Sequence, residues 1–230
     1  MLVGTLLNVA AIALGSGLGW LLRRAITERF RQTLMSGLGL CTLSLGILGV
    51  TEGREPVLIV LSILIGALLG EAGRLEELLE GGARRLEERW AAGNGSTLAR
   101  GLVSATLLFC VGSLTIVGSL QDGLSGDYTL LALKSALDFT SSLFLCAALG
   151  WGVALAIVPV ALIQGSITLS AMWLAPYLTA GVVQELNCVG SVLIVGLGLN
   201  ILEVAHLKIA NYLPALLLVP LLYPLVKYLF

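Results

Sequence analysis

The sequence predicts an all-α protein, a polytopic helical membrane bundle of about eight transmembrane helices. Three observations predict it. Hydrophobic residues make up 57% of the 230 and charged residues only 12%, about half the charge a soluble domain carries. Apolar runs of the roughly 20 residues that cross a bilayer recur along almost the whole chain. Basic residues then gather on alternate connections between those runs, as cytoplasmic loops do. No stretch is left for a sizeable soluble domain, so residues 1–230 are expected to form a single integral membrane domain.

The first span is expected over residues 2–22. MLVGTLLNVAAIALGSGLGWLLRRA has no basic residue ahead of its apolar run, and Arg23 and Arg24 follow it. A cleaved signal peptide shows the opposite order, so this helix is expected to be retained. Spans two and three cover 33–50 and 57–72, and spans four and five cover 99–119 and 129–149. The sixth covers 152–174, although the boundary Gly150-Trp151-Gly152 also allows one bent or re-entrant element over 129–174. Spans seven and eight cover 184–202 and 207–228. Cys41, Cys110, Cys146 and Cys188 all fall inside apolar segments, as small polarizable packing residues rather than disulfide partners.

Charge tests this drawing independently. The connections after spans one, three and seven, with the span ends that adjoin them, hold ten of the 13 basic residues, the opposite face holds Arg54 and Lys227, and Lys134 lies deep inside a span. Both termini are therefore expected outside and the arginine-rich connections in the cytoplasm. The net charge of -1 sums over two faces of a membrane and implies no nucleic-acid partner.

Residues 73–98 form the only substantial polar segment, expected to be cytoplasmic and amphipathic. Leu75, Leu78, Leu79, Leu86 and Trp90 keep helical spacing on one side, Glu80 and Arg84 form a four-residue pair, and Gly81-Gly82 breaks the helix. It is either a connector laid on the bundle or a surface helix that touches headgroups or a partner chain.

Gly15 with Gly19, and Gly66 with Gly70, place small residues four apart, a pattern that lets helix backbones approach. QTLMSGLGLCTLSLGIL laid on QELNCVGSVLIVGLGLN aligns span two with span seven. That alignment predicts an inverted repeat of spans 1–3 and 6–8 flanking spans four and five.

The candidate site residues are polar groups where lipid tolerates few. In LKSALDFTSSLF, Lys134 and Asp138 are four apart and share a helix face. Asp138 is expected roughly 13 Å into the bilayer at about 1.5 Å per residue, with Lys134 shallower and able to snorkel outward. Ionisable groups at that depth mark a pathway or a self-neutralised pair, and both readings stand. Just ahead, CVGSLTIVGSLQDGLSGDY is rich in glycine and hydroxyls and ends in Gln121, Asp122 and Asp127. These acids are expected at an outer mouth, concentrating cations, unless the run is a turn with Asp127 capping the next helix. Gln164, in VPVALIQGSITLS after Pro159, is the next polar patch near a midplane. Asn8, Asn187 and Asn200 are expected as interhelical hydrogen-bond partners.

Some chemistry is disfavoured by absence. The sequence has no phosphate-binding G-x-x-x-x-G-K-[ST], no H-E-x-x-H, no paired Cys or His cluster, and a single histidine, His206. A membrane hydrolase would lack a base, so no enzyme and no cofactor are expected.

GTLLNVAAIALGSGLGWLL, LGEAGRLEE, GSLQDGLSGDYTLLALKSALD and IQGSITL together resemble the bacterial inner-membrane proteins grouped as domain of unknown function 554. The resemblance covers essentially the whole chain and implies a protein of the bacterial cytoplasmic membrane, a candidate transporter. SALDFTSS and CVGSVLIVGLGLNIL also look like helices of the small manganese-exporter and lysine-exporter superfamily. There an intramembrane aspartate, similar to Asp138, serves a transported cation, and Lys134 departs from that pattern.

The expected function is a transporter or channel for a small charged solute, a cation or a small amine or amino acid, with spans four to six around the pathway. Asp138, Lys134, Gln121, Asp122 and Gln164 would line it. Membrane lipid, the solute and further copies of the chain are the expected partners. The alternative is a scaffold or sensor that binds a partner through residues 73–92.

Overall fold

The computed structural model describes residues 2–23, 27–78, 81 and 95–229, and they form helices, turns and no strand. In chain order the helices are α1 (Val3–Arg23), α2 (Glu28–Val50), α3 (Pro56–Ala72), α4 (Gly95–Cys110), α5 (Ser113–Ser125) and α6 (Thr129–Leu149). A 3-10 turn (Trp151–Ala156) leads into α7 (Ile157–Leu169), followed by the short α8 (Ala171–Leu174) and α9 (Ala180–Ile201). A second 3-10 turn (Ile209–Tyr212) opens α10 (Pro214–Leu229). Six helical segments are long and apolar enough to cross a membrane, α4 with α5 makes a seventh if the pair is one span, and α3 is a shorter apolar helix of 17 residues. The chain is a multi-pass membrane protein. Most of residues 73–98, including Glu80, Arg84, Leu86 and Trp90, lies outside the described residues; Leu78 is exposed.

Span four departs from the straight helix expected over 99–119. It breaks at 111–112, where α4 and α5 meet at 59°, and α5 continues to Ser125. Gly112 has φ 133°, a conformation that side-chain-bearing residues rarely adopt. The break leaves helical carbonyls without their N–H partners, which lipid cannot supply. The Thr115 hydroxyl donates to the Phe109 carbonyl at 3.1 Å and meets one of them. At Gly150, φ 91° ends α6, so 129–174 is not one element. Pro159 is the third residue of α7, which continues directly from the 3-10 turn.

Glycines set the packing, and their contacts give helix directions. Side chains at Gly4, Gly15 and Gly19 would strike Leu131, the Phe139 carbonyl and the Leu143 carbonyl in turn, so α1 runs parallel to α6. Gly39, Gly46 and Gly49 meet Leu202, Val195 and Ser191, so α2 runs antiparallel to α9. Gly66 and Gly70 meet Ala215 and Asn211, which sets α3 antiparallel to α10. Gly101 lies against 152–153 and Gly123 against 168–171, so α4–α5 runs parallel to the 151–169 segment. A parallel α1 and α6 need an odd number of crossings between them. With α2 and α3 counted as two, a single crossing by the bent α4–α5 pair satisfies this.

Ile12, Phe109, Leu145, Val153 and Val160 fill one core, and Leu58, Val189, Ala215 and Val219 fill another. Leu14, Leu48, Leu68, Leu162 and Leu217 stay exposed, which suits a surface solvated by lipid.

Candidate functional site

Three helices carry their polar residues at helical spacing on buried faces. On α1 these are Thr5 and Asn8, on α5 Thr115, Ser119 and Asp122, and on α7 Gln164 and Thr168. Their meeting point is the bundle end that holds the N-terminus of α1. There Gly4 abuts Leu131, Gly123 abuts Thr168 and Ala171, and Gly165 faces Leu2. The absence of a Cβ at Gly4 and Gly123 lets the backbones close around this end.

Lys134 and Asp138 enter from α6, 5% and 6% exposed, and form the expected ion pair. Asn8 Nδ2 donates to the same carboxylate oxygen at 2.9 Å. Lys134 does not snorkel outward. A carboxylate one turn deeper on its own face accepts from the ammonium, and the surrounding helices bury both. Asn8 is thus part of the polar site as well as an interhelical bond.

Asp122 is not at an outer mouth, as expected, but fully buried, because α5 runs on past it to Ser125. Its Oδ2 accepts the Gly4 N–H at 3.2 Å, one of the N–H groups at the start of α1 that no earlier carbonyl can reach. Its Oδ1 has no hydrogen-bond partner. Gln121, half-buried, sits about 100° round the helix from it, off the buried stripe. Gln164 is fully buried with both amide atoms unpartnered. Thr5, Ser119 and Thr168 hydroxyls and Asn8 Oδ1 are unpartnered too. Most of the unpartnered buried polar atoms among the described residues therefore lie on α1, α5 and α7. Buried polar groups normally find partners, and in hydrocarbon their cost is higher still.

Asp127 lies in the loop before α6 and caps it. Its Oδ1 accepts from the Thr129 hydroxyl at 2.6 Å and the Thr129 N–H at 3.0 Å. The Thr129 hydroxyl foremost, then its N–H, holds the carboxyl below its usual range.

No motif in the sequence marks Glu185. It is 2% exposed on α9, and its Oε1 accepts the N–H groups of Arg54 and Glu55 at 2.8 and 3.3 Å, at the start of α3. Its Oε2 is unpartnered. The available signal was Pro56 at the opening of α3, a helix start in need of acceptors. Beside it Gln184 and Asn187 donate to Glu52, and Asn200 bonds both ways with Leu207. Glu71 accepts from Asn211 at 2.6 Å and from Lys208 at 3.4 Å. A cleft of about 180 Å³ between α4, α9 and the 207–209 turn includes Arg100, Ser104 and Asn200. None of Asp138, Lys134, Gln121, Asp122 and Gln164 lines it. No group of three or more His, Cys, Asp or Glu suited to a metal occurs among the described residues, and all four cysteines are free.

A family model described as "Protein of unknown function (DUF554)" matches residues 3–224. The chain is 35% identical over 221 residues to "Uncharacterized membrane protein YdfK" of Bacillus subtilis (strain 168), covering 94% of this chain and 93% of that protein. It is 31% identical over 222 residues to "Uncharacterized protein YqgA" of Escherichia coli (strain K12), covering 95% and 94%. No solved structure matches significantly.

Proposed function

This chain belongs to the DUF554 family of proteins of unknown function, and we propose that it is a transporter or channel for a small charged solute in a bacterial cytoplasmic membrane. The solute is a cation or a small amine or amino acid. Its path runs beside α1 between α4–α5, α6 and α7. One observation carries this reading: an ion pair and a concentration of unpartnered polar atoms share one end of a lipid-solvated bundle. Helix packing requires neither, and a polar solute with its water would give those atoms the partners that the protein does not.

Asp138 and Lys134 form the inner, charge-balanced part of the path, with Asn8 fixing the carboxylate. Gln121, Asp122 and Gln164 lie toward the face that bears the termini, which the basic-residue distribution sets outside. The protein acts without enzymatic chemistry, in contact with lipid and with further copies of itself. The curated relatives are bacterial, which supports the location.

The test is flux in proteoliposomes, with a panel of labelled alkali cations, amines and amino acids under imposed gradients. The intact protein should move at least one of them, and the Lys134→Met, Asp138→Leu double variant should stop it while thermal stability stays near that of the wild type. An intact protein that moves nothing across the panel would sink this reading and favour a scaffold acting through residues 73–92. Replacing 81–92 by a flexible linker should leave flux largely intact, because the path lies elsewhere.

A further inference from the structure

Two buried aspartates stand at this end of the bundle in different electrostatic positions. Asp138 is neutralised within the chain, by Lys134 with help from Asn8. Asp122, fully buried, has only the Gly4 N–H on one oxygen and nothing on the other. We infer that Asp122 anchors a binding site for a small monovalent inorganic cation, completed by oxygen donors from Thr5, Ser119, Gln164 and Thr168. The inference rests on the proposed reading of this end as a path reached by solutes.

Placement and chemistry converge on it. Thr5 follows Gly4, whose N–H already touches Asp122, and Ser119 precedes Asp122 by one helical turn on the same face. Thr168 is beside Gly123, the residue after Asp122, and Gln164 lies one turn before Thr168 on α7. All four side chains are buried with oxygens that lack a partner. One carboxylate surrounded by neutral hydroxyl and amide oxygens is a hard donor set, which suits alkali or alkaline-earth ions and not thiophilic metals. Charge chooses between those two groups. A monovalent ion balances Asp122, whereas a divalent ion leaves one positive charge uncompensated in a low-dielectric interior. The second carboxylate that could compensate it, Asp138, is already committed to Lys134. Position explains why the first turn of α1 is tied to α5: the Gly4 N–H orients Oδ2 and leaves Oδ1 for the ion.

The experiment is equilibrium binding of radiolabelled Na⁺ to the purified full-length protein in lipid nanodiscs, with choline as the inert background cation. Saturable binding is expected, with competition by Li⁺ or K⁺ stronger than by Ca²⁺. Asp122→Asn should weaken it by about tenfold or more, the effect of losing a charged partner, and Thr168→Val and Gln164→Leu should weaken it less. The Lys134→Met, Asp138→Leu double variant should keep it. Na⁺ should also raise the melting temperature of the wild type over choline and lose that effect in Asp122→Asn; Asp122→Glu, which keeps the charge, guards against a folding failure. Absence of saturable binding by the wild type, unchanged affinity in Asp122→Asn, or preferential displacement by Ca²⁺ each overturns the site. Saturable, Asp122-dependent binding in a protein that moves no solute upholds the site and overturns the transport reading. Flux without such binding does the reverse.

Discussion

Asp138 can be structural, functional or both, and its partners define how to separate these roles. Removing one member of a buried pair leaves an uncompensated charge and should cost about 3–5 kcal/mol, whereas replacing both by apolar groups of similar volume should be near neutral. Lys134→Met and Asp138→Leu singly should therefore lower the melting temperature in detergent far more than the double variant does. If the double variant also keeps normal flux, Asp138 has no role in the path. Asp127 gives a second, milder prediction. Its carboxyl is held below the usual range by Thr129, so its capping contribution is present above the unfolded-state value near 3.9. That contribution is lost as pH falls through the lower folded-state value. Asp127→Asn should flatten the acid limb of a melting-temperature titration without abolishing flux, and an unchanged acid limb would count against the cap.

Helix α1 shows how a single element encodes its neighbours. In GSGLG, Gly15 and Gly19 face α6 so closely that a side chain would meet backbone carbonyls, while Gly17 has nothing within 4 Å. Gly15→Val and Gly19→Val should each destabilise by about 1–3 kcal/mol or more through overpacking, and Gly17→Ala should stay within about 0.5 kcal/mol. Equal losses at all three positions, measured by thermal unfolding in one detergent, would remove the parallel α1–α6 contact from the account. The broken α4–α5 span makes the complementary point. Gly112 supplies a backbone conformation, whereas Gly118 and Gly123 supply proximity, to Leu131 and to Thr168 with Ala171. The sequence shows these glycines alike, and only their neighbours distinguish the two uses.

At the scale of the molecule, the parallel and antiparallel pairings fix which loops share a face. The turn before α3, the loop before α6 and the start of α9 lie at the face that bears the α1 N-terminus. The turn after α3 and the 202–208 turn lie opposite. Single cysteines at Ser125 and Gly81, both exposed, placed in a cysteine-free background should react with an impermeant reagent from opposite sides of the membrane. Under the charge argument Ser125 is the outer one. Reaction from one side only would overturn the single crossing of α4–α5.

The sequence by itself determined the multi-pass helical class and the ionisable pair. Both depend on local quantities: apolar run length, and the four-residue spacing of Lys134 and Asp138 on one helix. Glycine spacing in α1 and α3 also announced close packing. Tertiary structure alone decided that Asp122 is buried against Gly4 and not exposed at a mouth, that Asn8 reaches Asp138, and that Glu185 meets the start of α3. The partners in those contacts are 118, 130 and about 130 positions apart. Periodicity tells which face of a helix a residue occupies but not which other helix covers that face. Burial, and with it the energetic meaning of a carboxylate, therefore waits on the packing of the whole bundle.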